Sequence, residues 1–314
     1  MIVTKKEIES ALNNYRLGRL ESYCVPKQGL LNKVVFLKTT KGRYVLKVAL
    51  VNEGTLGYVL GLLDHIKMKT APRPFLTRDK KLYSVCYGHK AFVYPFISGN
   101  IPKRLSSRMI GEIGRFLAEY HKRSRGFKAH FKREEILSLS SALINMAIKR
   151  AKRVRGAEER EAVRYIEKEI KKYKLSKDLP SGPIHVDIKP DNSLFVGNRL
   201  QGVVDFDNAY QGPLILDLGV TMSWYGIADG RVNPTKVKKL YKAYSKARKL
   251  NDIEKKNLFN AFHFAILRNS LRALEFLAQG RLPQRWVHGY LVNYLAAERN
   301  FKMSRQEFLN YLTK

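Results

Sequence analysis

The sequence predicts an α+β protein of two lobes, a small antiparallel-sheet N-terminal lobe followed by a larger helical C-terminal lobe. Three observations carry this expectation. Up to about residue 97 the chain is dominated by alternating, β-branched segments separated by turn residues, with one helical stretch among them. Beyond Pro95 and Gly99 the apolar residues recur at helical spacing, beginning with Ile110, Ile113, Gly114, Leu117 and His121. The length, 314 residues with 45% hydrophobic content, suffices for one large core or two moderate ones. The expected lobes are residues 1–97 and 98–314.

In chain order, Thr4-x-x-Glu7 is a capping-box pattern that opens a helix running to Leu12. Residues 34–40 and 43–50 read as a hairpin joined through Lys41-Gly42, with Lys47 on its second strand. A helix over 55–67 follows, then a second strand pair, 82–87 and 91–96, through Gly88-His89. Further helices are expected at 136–154, 158–173, from the Asn233-Pro234 start to Leu250, and at 252–279. Val237, Leu240, Tyr241 and Tyr244 give the third of these one apolar face. Residues 262–274 are apolar nearly all round apart from Arg268 and Arg272, which predicts burial.

Composition narrows the function classes. No apolar run approaches the roughly 18 residues of a membrane span, and the first residues lack the apolar core of a signal peptide, so a soluble, cytoplasmic protein is expected. Cys24 and Cys86 are too few for a disulfide framework and lack zinc-site spacing. Lys and Arg number 59 against 27 Asp and Glu, a formal charge of +32, which raises the question of a nucleic-acid partner. The basic residues are spread along the chain, with local density at 149–155 and 236–249. That distribution favours a solvated surface, which would also attract nucleotide phosphates.

The chemistry-bearing segment runs from His185 through Asp187, Lys189, Pro190, Asp191 and Asn192 to Asp205-Phe206-Asp207. Gly197-Asn198 suits a two-residue hairpin turn, so Val196 faces Arg199. Counting outward, Asn192 falls opposite Val203, and Asp205 becomes its diagonal neighbour at about 7 Å. Two oxygen ligands at that separation can share one Mg²⁺. Asp187, in a loop constrained by Pro190, would orient an attacking hydroxyl and accept its proton. Lys47 sits on a strand face with Val45 and Ala49, where a lysine is costly unless a charge meets it. His185 reads as a hydrogen-bonding brace for its loop and His121 as core.

At this point the chain resembles the aminoglycoside phosphotransferase and choline kinase superfamily and, within it, the bacterial homoserine kinases of this fold. The segments that carry the resemblance are Gly42-Arg-Tyr-Val-Leu-Lys47, Tyr94-Pro-Phe-Ile-Ser-Gly99, Ile113-Gly-Arg-Phe-Leu-Ala-Glu-Tyr-His121, Leu179 to Asp187, Val203-Val-Asp-Phe-Asp-Asn-Ala209, Leu216-Asp-Leu218 and Ala265-Ile-Leu-Arg268. The resemblance implies a protein-kinase-like fold, ATP as co-substrate, Mg²⁺, and a small hydroxylated acceptor, homoserine first, with choline, ethanolamine or an aminoglycoside as alternatives. It makes Asp187 the catalytic base, Asn192 and Asp205 the metal ligands, and Lys47 a contact to the nucleotide phosphates. Backbone groups of Tyr94, Pro95, Phe96 and Ile97 would hold adenine. Asp207 would either assist a second metal or face the substrate, and Asp217 would brace the catalytic loop.

The departures are specific. Lys189 stands where these homoserine kinases usually carry an aromatic or apolar residue, and is expected to add charge stabilisation at the transferred phosphoryl group. No G-x-G-x-x-G loop precedes Lys47, only Gly29, and Asp205-Phe206-Asp207 replaces the Asp-Phe-Gly of protein kinases. Glu53 is the candidate partner of Lys47. Around Thr221-Met-Ser-Trp224 a serine replaces an expected asparagine and the tryptophan is shifted by one. Arg268 and Arg272 share a helical face and serve either a salt bridge or a substrate carboxylate. Trp224, Tyr225, Phe262 and Phe264 are either core or a cage for an ammonium ligand.

Overall fold

The computed structural model describes residues 4–26, 33–129 and 140–314. Helix α1 (Lys5–Leu12) precedes strands β1 (Leu20–Cys24), β2 (Lys33–Thr39) and β3 (Gly42–Val48). Helix α2 (Glu53–Ile66) follows, then β4 (Ser84–Cys86) and β5 (His89–Pro95). The five strands form one antiparallel sheet in the order β1-β2-β3-β5-β4. Because side chains alternate across a strand, the sheet buries two apolar faces. One joins Val35, Leu37, Leu46, Val48 and Val93 to Ile8, Ala11 and Leu12 of α1. The other joins Val45, Ala49, Phe92 and Tyr94 to Leu56 and Leu60 of α2, and Lys47 projects on this second face.

Three local expectations are corrected here. Thr4 caps α1 by accepting from the Glu7 amide at 3.5 Å, but the Glu7 carboxylate accepts from the Tyr87 amide at 3.1 Å, so it bridges to the turn after β4 instead of closing a capping box. Thr39 pairs with Gly42 and Cys86 with His89, which moves both hairpin turns one residue earlier, to Thr40-Lys41 and Tyr87-Gly88. Tyr87 and Gly88 both have positive φ, 56° and 70°, the backbone that matches the twist of paired strands.

The helical part begins with α3 (Ser107–Arg123), capped by Ser106, and continues with α4 (Ser141–Ala151) and α5 (Ala157–Glu169). The expected start of the α4 helix, at 136–139, lies outside the described residues, as does Gly29. Two short ribbons follow, β6 (Ser181–Ile184) paired with β9 (Tyr210–Pro213), and between them β7 (Ser193–Val196) paired with β8 (Arg199–Val203). Helix α6 (Leu214–Gly226) is buried on nearly every side, so it carries neither a helical nor a strand period and was invisible to pattern reading. After the two-residue strands β10 (Ile227–Ala228) and β11 (Arg231–Val232) come α7 (Pro234–Ala247) and the long α8 (Asp252–Ala278). The chain closes with α9 (Gln284–Gly289), a π-helical stretch (Tyr290–Leu295), α10 (Ala296–Asn300) and α11 (Arg305–Thr313).

Helices α6 and α8 approach closely enough that a Cβ on Gly219 would lie 2.6 Å from the Ala261 carbonyl oxygen, so only glycine fits that crossing. The sheet and the helical part are tied by a bridge in which Asn100 and Phe195 exchange amide-carbonyl hydrogen bonds of 2.9 Å. Among the described residues no helix is long and apolar enough to cross a membrane.

Candidate active site

The site lies where β3, the β7–β8 ribbon and the loops flanking it converge. The loop before β7 is held by one carboxylate. Asp217, wholly buried on α6, accepts from the His185 and Val186 amides, both at 2.7 Å, and meets His121 Nε2 at 3.1 Å. Val186 has φ 54°, costly for a β-branched residue, and this grip is what over-determines it. Burial alone would raise the Asp217 pKa, but the hydrogen bonds donated by His121 and by the His185 amide hold it below the ordinary carboxylate range. His121 and His185 are themselves pushed down by burial, so both rings are neutral near pH 7. His185 Nδ1 accepts from the Asp187 amide at 3.3 Å and its ring packs 4.4 Å from that of Phe206, a bracing part.

Asp187 is thereby presented at the end of a rigid loop. The Asn192 side-chain amide donates to its carbonyl at 2.9 Å and to its carboxylate at 3.1 Å. Lys189 Nζ lies 3.3 Å from the same carboxylate. Burial raises the Asp187 pKa; Lys189 pulls it back and Asp205 raises it further, and the net position is above the usual range. A carboxylate so placed is a stronger base than a free one and retains a nearby positive charge.

Lys47 reaches across from β3 and its ammonium lies 2.7 Å from Asp207 and 3.3 Å from Asp205. Burial works against the charged lysine, and the two carboxylates more than offset it, so its pKa is raised. The carboxylates divide: burial lifts both, but Lys47 brings Asp205 below the ordinary range, while Asp207, with Asp205 beside it, stays above. The expected Glu53 partner is wrong. Glu53 stands at the first turn of α2 and pairs with Lys90, and Asn52 caps that helix by accepting from Thr55.

The derived hairpin register also needs correction. Val196 does face Arg199, but a bulge at Gln201 shifts the pairing, so Ser193 lies opposite Val203. Asn192 instead accepts from the Val204 amide at 2.8 Å, and Asp205, with φ 65°, turns out of the ribbon immediately afterwards. The bulge thus brings Asp205 toward Lys47 by a route that residue counting does not contain.

These residues fit a divalent cation. The Asn192 amide nitrogen is engaged with Asp187, which leaves its oxygen as a ligand, and the Asp205 and Asp207 carboxylates already gather around a cation, the Lys47 ammonium. Oxygen donors of this kind suit Mg²⁺. Among the described residues no group of three or more His, Cys, Asp and Glu side chains is placed to hold a metal, so the amide oxygen and donors from outside the chain would be needed to complete the shell.

A cleft beneath the sheet is lined by Lys47, Val59, Leu63, Phe92, Tyr94 and Asp205 among others. At its outer edge the alternation of antiparallel pairing turns the Tyr94 and Phe96 backbone toward β3, Phe96 donating to the Arg43 carbonyl at 3.0 Å. The same alternation turns the Pro95 carbonyl to the opposite edge, away from β3. Arg43 covers the Phe96 ring at 3.9 Å.

On the helical side, Arg272 pairs with Glu275 at 2.8 Å and lies over the Phe276 ring, and burial lowers its pKa to about 10. Arg268 is buried and donates to Asn269 at 2.9 Å. Phe262 packs against Phe301 and Phe308 in the core, and Phe264 is also buried core. Trp224 is different: its ring meets Tyr290, Tyr294 and the Lys189 ammonium. Sequence reading missed both tyrosines, because nothing local marks a π-helical stretch, and it missed Asn208, whose amide lies 3.5 Å from the Asp187 carboxylate.

Residues 22–250 match the model of a family described as the phosphotransferase enzyme family. A homoserine kinase of Rhizobium meliloti (strain 1021) is 31% identical over 322 residues, covering 99% of this chain and 91% of that protein. Among solved structures, a spectinomycin phosphotransferase in complex with ADP and spectinomycin superposes with a TM-score of 0.66 at 15% identity, over 100% of this chain and 94% of that one. An amicoumacin kinase in complex with AMP-PNP, Ca²⁺ and Ami gives 0.68 at 14% identity, over 98% and 94%. Likeness at such low identity concerns the kinase-like fold.

Proposed function

The chain belongs to the phosphotransferase enzyme family, and on that premise we propose that it moves the γ-phosphate of ATP to the hydroxyl of a small amino acid, L-homoserine, a step toward threonine. The observation that carries the reading is the placement of Asp187. It is a buried carboxylate of raised pKa, fixed by Asn192 and flanked by Lys189, beside the cluster of Lys47, Asp205 and Asp207. Asp187 orients the acceptor hydroxyl and takes its proton. Lys189 supplies positive charge at the transferred group, and Lys47 holds the α/β-phosphates. The Pro95 carbonyl and Ile97 amide receive the adenine edge, with Tyr94 and Phe96 shaping the cleft around it. Asn192, Asp205 and Asp207 would hold Mg²⁺, which would supply charge neutralisation at the phosphates.

Homoserine as acceptor is supported by relatives about 30% identical over nearly the whole chain. Arg268 and Arg272, both carried by α8, are the candidates for its carboxylate. The lobe division at residue 97 belongs to the same reading: the linker beyond it is pinned to β7 by the Asn100–Phe195 bridge, next to the catalytic loop.

The test is ATP consumption over a panel of hydroxylated metabolites, wild type against Asp187→Ala. We expect homoserine-dependent turnover and its loss by about a hundredfold or more in the variant. Turnover with another alcohol and none with homoserine would discard the acceptor. Equal turnover in the variant would discard Asp187 as the base.

A further inference from the structure

The rings of Trp224, Tyr290 and Tyr294 form a triangle whose centroids lie 5.8 Å, 5.0 Å and 5.6 Å apart. All three are half-buried, unlike the sealed ring of Phe262. The triangle borders the catalytic loop. Lys189 Nζ stands 5.6 Å from the indole centroid and 3.3 Å from the Asp187 carboxylate. Both tyrosines are carried by the π-helical stretch, a rare geometry that is frequent at functional sites.

The electrostatics agree with this geometry. Burial pushes both phenols up. Asp187 and Asp191 add to this at Tyr290, and Tyr290 and Asp191 at Tyr294, where the Lys189 charge pulls the other way. The rings therefore stay neutral, with their electron-rich faces set in the field of carboxylates, and Lys189 already lays a cation against one of them. A chain of net charge +32 repels cations at long range, so a site for a cationic ligand has to be built locally from such groups.

We propose that Trp224, Tyr290 and Tyr294 form the wall of the acceptor site that receives the acceptor's ammonium group, which makes the enzyme selective for amino alcohols over other alcohols. The proposal rests on the kinase reading and on Asp187 as the atom beside which the acceptor hydroxyl lies. An ammonium group against aromatic faces gains attraction that a neutral or anionic compound of the same length does not.

Two measurements test it. In a Trp286→Phe background, where Trp224 is the sole tryptophan, its fluorescence is followed without ATP while L-homoserine, ethanolamine or the deaminated analogue γ-hydroxybutyrate is added. The amino compounds are expected to change the emission saturably, and γ-hydroxybutyrate to leave it unchanged at concentrations about tenfold higher. In steady-state kinetics, Tyr290→Leu with Tyr294→Leu is expected to raise the acceptor KM about tenfold at unchanged KM for ATP, while Tyr290→Phe with Tyr294→Phe keeps it, since Phe retains the ring.

Response to ethanolamine with turnover of ethanolamine, and neither with homoserine, would keep the aromatic wall and overturn the homoserine assignment. Homoserine turnover with an unchanged acceptor KM in the Leu variant would overturn the wall and keep the kinase. Equal use of γ-hydroxybutyrate and homoserine, or no response to any amino alcohol, would also overturn the wall.

Discussion

Replacing Asp217 by asparagine tests how the catalytic loop is held. The carboxylate accepts from two buried amides at 2.7 Å and from His121 at 3.1 Å, and it has no exposed surface. An asparagine of the same shape brings one acceptor oxygen and an NH₂ group that faces a donor. At least one amide, His185 or Val186, is then left without a partner. A hydrogen bond to a charged group contributes about 1.5–3 kcal/mol, and a stranded buried donor costs about 1–3 kcal/mol. Val186, at φ 54°, can relax once its amide is released, which returns part of the strain. We expect a net loss of about 3–5 kcal/mol in urea unfolding, the range for breaking a buried charged network. Asp187 follows Val186 directly, so a displacement of about 1 Å at the base would lower kcat by about a hundredfold. On the proposed placement of ATP against β3 and β5, its KM should stay within about twofold. An Asp217→Asn protein with wild-type urea midpoint and kcat would refute the argument that this carboxylate positions the loop.

Lys47→Met removes the cation shared by Asp205 and Asp207. Calorimetry should find Mg²⁺ alone bound more tightly than in wild type, because the ammonium no longer competes, and ATP bound at least about tenfold more weakly; weaker Mg²⁺ binding would contradict the competition. Lys189→Met removes the charge that lowers the Asp187 pKa. Activity needs the deprotonated base, so it is lost as pH falls through that pKa, and the acid limb of the pH–kcat profile should move to higher pH in the variant. An unmoved limb would mean that Lys189 does not act on Asp187.

Much of the site was legible in local sequence. The spacing from His185 to Asn192, the Gly197-Asn198 turn and a lysine on an apolar strand face each constrain a side chain through bonds or through the cost of burying charge, and Asp187, Asn192, Asp205 and Lys47 do converge. The register failed at Gln201 because a bulge inserts one residue without a sequence marker, and this decides how Asp205 meets Lys47.

The α+β organisation and most helices of the C-terminal part thus followed from periodicity and turn chemistry, and the candidate base and metal ligands were named from motif spacing and resemblance. Tertiary structure alone decided which charges meet. Lys47 lies against Asp205 and Asp207 while Glu53 pairs with Lys90, and Trp224, half-buried at the edge of the core, joins Tyr290 and Tyr294 beside Lys189. The reason is physical. Backbone periodicity fixes which face a side chain takes, but an ion pair or a ring cluster depends on elements far apart in the chain, and on helices such as α6 whose uniform burial erases the pattern that would announce them.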